Sequence, residues 1–270
     1  MSATSEVTTP PDHRPPATGL VVGALAGLLS GLFGVGGGII IVPGLMTLAA
    51  MERRKAHGTS LAATLPIALA SAVTFAASDK IDWPVVVALA VGSIAGAVLG
   101  TQLLQVIDKR ALVIVFVVTI LATAIRLLLA DETTGRDDLT AGAFAALVVI
   151  GLLTGTLAGL LGIGGGVVMV PAMIVLFSID PVVAKGTSVA VIVPTSIAGT
   201  IRNRKKANAD LRLAVAVGGA GVLFAVVGSL ISKSISDTLA NTMFAGLLVV
   251  VATIQLRSLR STSAESGDRR

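Results

Sequence analysis

The chain has 270 residues, 54% hydrophobic and 13% charged, with a mean hydropathy of +0.94, a net charge of +5 and no cysteine. A soluble domain carries about 25% charge, so this composition excludes the soluble classes and points to a membrane protein. Zero cysteine excludes disulfide, iron–sulfur and thiolate chemistry. With no Tyr and Trp83 alone there is no aromatic platform for nucleic acid, and the basic balance reads as the loop charge of a membrane protein.

In chain order, residues 1–17 carry Pro10, Pro11, Pro15 and Pro16 and are expected to form a disordered tail. Uncharged runs then follow at Pro15–Met51, Gly58–Ser78, Trp83–Ile107, Ala111–Ile125, Leu139–Ile179, Gly186–Ile201, Leu213–Ser232 and Thr238–Leu256. About 20 apolar residues cross the hydrocarbon core as a helix, so the runs predict an all-α polytopic membrane protein. The expected division is a membrane repeat over 18–130, a linker at 131–138, a second repeat over 139–257 and a polar tail at 258–270. Ala24-Leu25-Ala26 resembles a signal-peptidase site. Cleavage there is not expected, because Glu6 and Asp12 outnumber Arg14 in the tail and the same motif recurs internally.

The runs are duplicated. Gly27–Ala70 aligns with Gly155–Ala198 at a constant offset of 128, without gaps and with 18 identities in 44 positions. Many shared residues are helix breakers or small hydroxyl types, and those do not recur in register between two greasy segments by chance. Each half opens with a run too long for one plain span, interrupted at Gly34-Val35-Gly36-Gly37-Gly38 and Gly162-Ile163-Gly164-Gly165-Gly166. Four glycines in five residues cost about 3–4 kcal/mol of helix propensity. Two half-helices around an irregular segment are therefore predicted, buried in protein or lining a cavity. If each broken element crosses, the repeats are parallel and Lys plus Arg divide 13 to 7 between the faces; if it dips and returns, the repeats are inverted and they divide 15 to 5. The stronger asymmetry favours inverted repeats, and both versions put the termini in the cytoplasm.

The glycine segments fail as nucleotide motifs. Ile39 and Val167 occupy the third glycine position of a dinucleotide fingerprint, and no Gly-Lys-Ser/Thr follows. Two readings stand. The glycines serve close helix packing, or Gly36, Gly37, Gly38, Gly164, Gly165 and Gly166 present backbone N–H groups at the start of a half-helix to an anionic substrate. Gly58-Thr59-Ser60 and Gly186-Thr187-Ser188 recur as a second motif, expected to open the next helix with Thr59, Ser60, Thr187 and Ser188 donating to the same ligand. Pro66 and Pro194 follow eight residues after each glycine and are expected to kink those helices. His57 and Lys185 precede the triplets, as snorkelling or loop charges or as gate residues that attract anions at the two entrances. No apolar run holds a central carboxylate of the kind proton-coupled carriers use. No catalytic constellation, metal set or cofactor motif is present in the sequence, so an enzyme is not expected.

Gly31-Leu32-Phe33-Gly34-Val35-Gly36-Gly37-Gly38, Val42-Pro43 and His57-Gly58-Thr59-Ser60, with their counterparts from Leu160 to Ser188, strongly resemble the TauE/SafE family of sulfite exporters. The likeness runs from Leu20 to Leu256. It implies an inner-membrane permease of seven to nine helices for small sulfur-containing anions such as sulfite, sulfoacetate or thiosulfate. The cysteines of some distant thiosulfate transporters are lacking here, which argues against their relay mechanism. The residues alone also allow a passive anion facilitator or a non-transporting membrane scaffold, with lipid as the surrounding partner and a homo-oligomer permitted.

Overall fold

A computed structural model describes residues 16–103, 114, 117, 118, 121, 125, 140–205 and 209–267. The start of the expected N-terminal tail, most of the Ala111–Ile125 run, the 131–138 linker and Lys109, Arg110, Arg126 and Arg136 lie outside those residues. The described helices are α1 (Pro16–Phe33), α2 (Gly38–Thr47), α3 (Arg53–Ala76), α4 (Trp83–Leu103), α5 (Ala141–Leu161), α6 (Gly166–Phe177), α7 (Pro181–Lys205), α8 (Leu211–Ser234) and α9 (Asp237–Gly267). Helix therefore continues into the segment expected as a polar tail after residue 257. Five of them, α3, α4, α5, α7 and α8, are long and apolar enough to cross a membrane. Large apolar side chains such as Val73, Val91, Leu153, Val215 and Leu223 stay exposed on the helices, as a lipid-facing surface requires.

Both broken elements are helical hairpins. A Cβ placed on Gly37 would sit 2.8 Å from the Ala26 carbonyl oxygen, and one on Gly44 would sit 2.9 Å from a Val22 methyl. As α2 advances, its partner on α1 retreats, so α2 runs back along α1. The second half repeats this at the turn, where Gly165 abuts Thr154 and Ala158 of α5.

The halves are interleaved by reciprocal contacts. On α1, Gly23, Gly27 and Gly31 lie against the carbonyls of Val217, Gly221 and Ala225 of α8; on α5, Gly151, Gly155 and Gly159 lie against those of Leu89, Ser93 and Ala97 of α4. Every member of the first set is a member of the second minus or plus 128. Glycine at every fourth position brings the backbones together without side chains between them. The equivalent helices α3 and α7 run in opposite senses, because Leu61 meets Gly199 while Phe75 meets Gly186. Antiparallel packing of equivalent helices is what an inverted pair of halves requires. Prolines 66 and 194 both sit inside continuous helices.

Candidate functional site

The two glycine loops cross at the middle of this arrangement. Gly38 lies on the Gly162 carbonyl and Ile163, and Gly166 lies on the Gly34 carbonyl and Val35. Backbone strain is set by handedness: Gly34, Gly36 and Gly37 have φ of 70°, 76° and 74°, and Gly162, Gly164 and Gly165 have 66°, 85° and 80°. A side chain at such φ costs about 1–2 kcal/mol, which explains glycine at these positions independently of packing. The chain leaves the loop into α2 and α6, whose first bonds are made by the amides of Ile40 and Ile41 to the Gly37 carbonyl and of Val168 and Met169 to the Gly165 carbonyl. The amides of Gly36, Gly37, Gly38, Gly164, Gly165 and Gly166 find no hydrogen-bond partner among the described residues. Helix starts leave such donors by construction. Here two starts converge.

Thr64 and Ile192, equivalent residues of α3 and α7, both face both loops. Positions for a Cβ on Gly36 lie 3.2 Å from Thr64 Cγ2 and 2.9 Å from Ile192 Cδ1; for Gly164 the distances are 3.7 Å to Thr64 Cγ2 and 3.8 Å to Ile192 Cγ2. Gly164 is the roomiest of the loop glycines, with nothing nearer than 3.5 Å to that point.

The Gly-Thr-Ser triplets do not open their helices. α3 begins at Arg53 and α7 at Pro181, five residues before each glycine. For α7 the reason is Asp180, whose carboxylate accepts the amides of Val182 and Val183 and caps the helix there. Thr59 and Thr187 are wholly buried one turn or more inside, and they hold the opposite half: the Asp210 amide donates to Thr59 Oγ1 at 2.9 Å and the Asp82 amide to Thr187 Oγ1 at 3.0 Å. Ser60 Oγ donates to the Gly162 carbonyl at 3.0 Å, whereas Ser188 Oγ, next to Gly166, is buried without a partner.

His57 packs its backbone and ring carbon against Gly162, and Lys185 packs its backbone against Gly34. Lys185 is 1% exposed, and its ammonium donates to Ser232 Oγ at 3.2 Å, which in turn donates to the Leu32 carbonyl at 2.9 Å. A charge expected at the rim is thus inside the protein. Sequence reasoning missed the Lys185–Ser232 link and the contact of Thr64 with both loops. It could have found the Asp82 and Asp210 anchors, since they too differ by 128. No group of three or more potential metal ligands occurs among the described residues.

Comparison with known proteins agrees with this architecture. The profile of the Sulfite exporter TauE/SafE family matches residues 2–127 and 147–270. The chain is 30% identical over 206 residues to the probable membrane transporter protein YunE of Bacillus subtilis, covering 67% of this chain and 76% of that protein. It is 26% identical over 238 residues to a probable membrane transporter protein of Xylella fastidiosa, covering 86% and 91%. A probable membrane transporter protein of Haemophilus influenzae is 31% identical over 161 residues, covering 56% and 60%. No solved structure matches the chain. With paired glycine loops crossing between its two halves and that profile matched across nearly its whole length, the chain belongs to the Sulfite exporter TauE/SafE family of membrane transporters.

Proposed function

We propose that this transporter moves a small anion, a sulfur oxyanion or organosulfonate, held between the crossing glycine loops. What supports the reading is the crossing of two buried glycine loops, each opening a half-helix, whose six glycine amides have no protein partner among the described residues. Oriented N–H groups at a helix start attract negative charge without a cation in the bilayer core. Thr59 and Thr187 accept from Asp210 and Asp82 and keep their own hydroxyl protons to donate; Ser188 is free to donate, and Ser60 becomes so when it releases the Gly162 carbonyl. Lys185 acts on the anion from inside the protein, and His57 is its weaker counterpart in the other half. Pro66 and Pro194 deprive the Ala62 and Ala190 carbonyls of their usual partners and are the bending points of α3 and α7.

The membrane in question is the inner or plasma membrane, with both termini cytoplasmic, on the strength of the 15-to-5 division of basic residues. Reporter fusions at residues 5 and 265 are expected to give cytoplasmic signals. Transport is tested with purified protein in liposomes offered labelled sulfite, thiosulfate, sulfate, sulfoacetate and a carboxylate, with and without a pH gradient. Saturable flux of a sulfur anion above the carboxylate supports the reading; its absence for every sulfur anion rejects it. A second reading, that the loop glycines serve packing alone, is favoured by the backbone contacts of Gly34, Gly37, Gly38 and Gly166. Gly164 separates the two, because its surroundings leave room for a methyl group.

A further inference from the structure

Among the described hydroxyls that do not bond another element, two populations stand apart. Thr47, Thr74, Thr154, Thr156, Thr195 and Ser229 donate back to a carbonyl of their own helix four residues earlier, at 2.7–2.8 Å. This is the ordinary way for a hydroxyl to be satisfied in a membrane helix. Thr64 and Ser71 of α3 and Ser188 and Ser196 of α7 do not do so. Each is wholly buried, and each Oγ lacks a hydrogen-bond partner. Such groups are penalised in a folded protein; Ser30 of α1 is another, and the four on α3 and α7 share one interface.

The antiparallel register of α3 on α7, fixed by Leu61 against Gly199 and Phe75 against Gly186, sets Ser71 level with Ser188 and Thr64 level with Ser196. Residues 60, 64 and 71 recur at helical spacing on one face of α3, and residues 188, 192 and 196 on one face of α7. The glycine loops meet this seam at Thr64 and Ile192. From the crossing point, where Thr64 and Ser196 are level and Ser188 adjoins Gly166, unpartnered hydroxyls continue along the helices on both sides, to Ser71 on one and to Thr200 on the other. Arg202 Nε, also buried without a partner, lies farther along α7 on that second side. Beyond the first side the seam ends near Lys233, whose ammonium donates to Ser78 Oγ at 2.7 Å. The described chain places a cation near each end of the seam, Arg202 and Lys233, and the Asp210 and Asp82 backbones bond Thr59 and Thr187 along its length.

The geometry points to the α3–α7 seam as the translocation path, in which a small oxyanion leaves the glycine amides by Ser188 and Ser71 toward one face and by Thr64, Ser196 and Thr200 toward the other. Hydroxyls suit the task because they replace hydration one bond at a time without binding tightly enough to trap the ion. The inference rests on the anion-site reading above, and its test separates the two.

The chain has no cysteine, so single Ser71→Cys, Ser188→Cys and Ser196→Cys variants, nearly isosteric with serine, can be labelled directly in proteoliposomes. The probe is a charged, membrane-impermeant methanethiosulfonate, with sulfoacetate as the protecting anion. Val73→Cys, on the lipid-exposed face of α3, is the control. All three seam positions are expected to label at least tenfold faster than the control. Saturating sulfoacetate is expected to slow them at least threefold. Seam positions that label no faster than Val73→Cys, or at a rate sulfoacetate leaves unchanged, overturn the path. Equilibrium binding of labelled sulfoacetate to the same purified proteins tells the failures apart: retained binding with an unlabelled seam rejects the path alone, and no binding to the unsubstituted chain rejects the anion site as well.

Discussion

The two halves of the molecule are alike where they hold each other and unlike where they face each other. Thr59 takes the Asp210 amide as Thr187 takes the Asp82 amide, and the α1–α8 glycines repeat the α5–α4 glycines contact for contact. At the seam the likeness fails: Ser60 bonds the Gly162 carbonyl while Ser188 bonds nothing, and Thr64 has the apolar Ile192 as its counterpart. Farther out, Ser93 and Thr195 share a hydrogen bond at 2.7 Å where their counterparts, Gly221 and Ile67, meet through an apolar contact. An inverted repeat needs an identical frame to let the halves rock against one another. It needs no identity at the ligand, because one ligand cannot sit on both halves in the same way.

The largest effects are expected where the frame is tightest. Gly27→Leu or Gly155→Leu drives a side chain into a backbone carbonyl of the partner helix. Overpacking costs about 1–3 kcal/mol even where side chains can move, and here only backbone can. Both variants are expected to lose monodisperse protein in detergent, and to equal degrees, whereas Gly219→Ala, with nothing within 4 Å, is expected to be neutral or slightly stabilising. Equal losses at 27 and 155 support the repeated frame; a loss at one alone breaks it.

Next come the buried anchors. Thr59→Val and Thr187→Val each orphan a backbone amide and are expected to destabilise by about 1–3 kcal/mol, matched to within about 0.5 kcal/mol, in thermal unfolding followed by circular dichroism. The seam predicts the opposite of matching. Ser60→Ala removes a bond and is expected to lose about 1 kcal/mol, while Ser188→Ala removes a penalised unpaired hydroxyl and is expected to leave stability unchanged or raise it. Equal effects of these two serine substitutions would dissolve the distinction between frame and seam. Smaller still in structural terms, Lys185→Gln is expected to raise the half-saturating anion concentration about tenfold, equivalent to about 1.4 kcal/mol. His57→Gln is expected to raise it by less.

Much of this was legible in the residues. Glycines at a constant offset announced the repeat and the two breaks, because positive φ is a demand that only glycine meets cheaply. The charges favoured inversion, and the antiparallel packing of α3 on α7 agrees. Other features were hidden for stated reasons. Gly58 and Gly186 look like helix starts because glycine breaks helices, yet Asp180 caps α7 earlier and close packing is what Gly186 serves, against Phe75 and the Lys80 carbonyl. Lys185 looks like a loop charge because it is next to a glycine and near a run boundary. Its burial depends on Ser232, 47 residues away. The hydroxyl seam depends on register between α3 and α7, and register is a tertiary quantity that no local pattern encodes.

The claim on which the rest depends is that the glycine loops hold the anion through main-chain amides. It is tested most directly by equilibrium binding of labelled sulfoacetate to purified Gly164→Ala, a change with room for its methyl group and a backbone penalty of about 1–2 kcal/mol. The account predicts a folded protein of native size-exclusion profile whose affinity falls at least tenfold. Native affinity in that folded variant would contradict it.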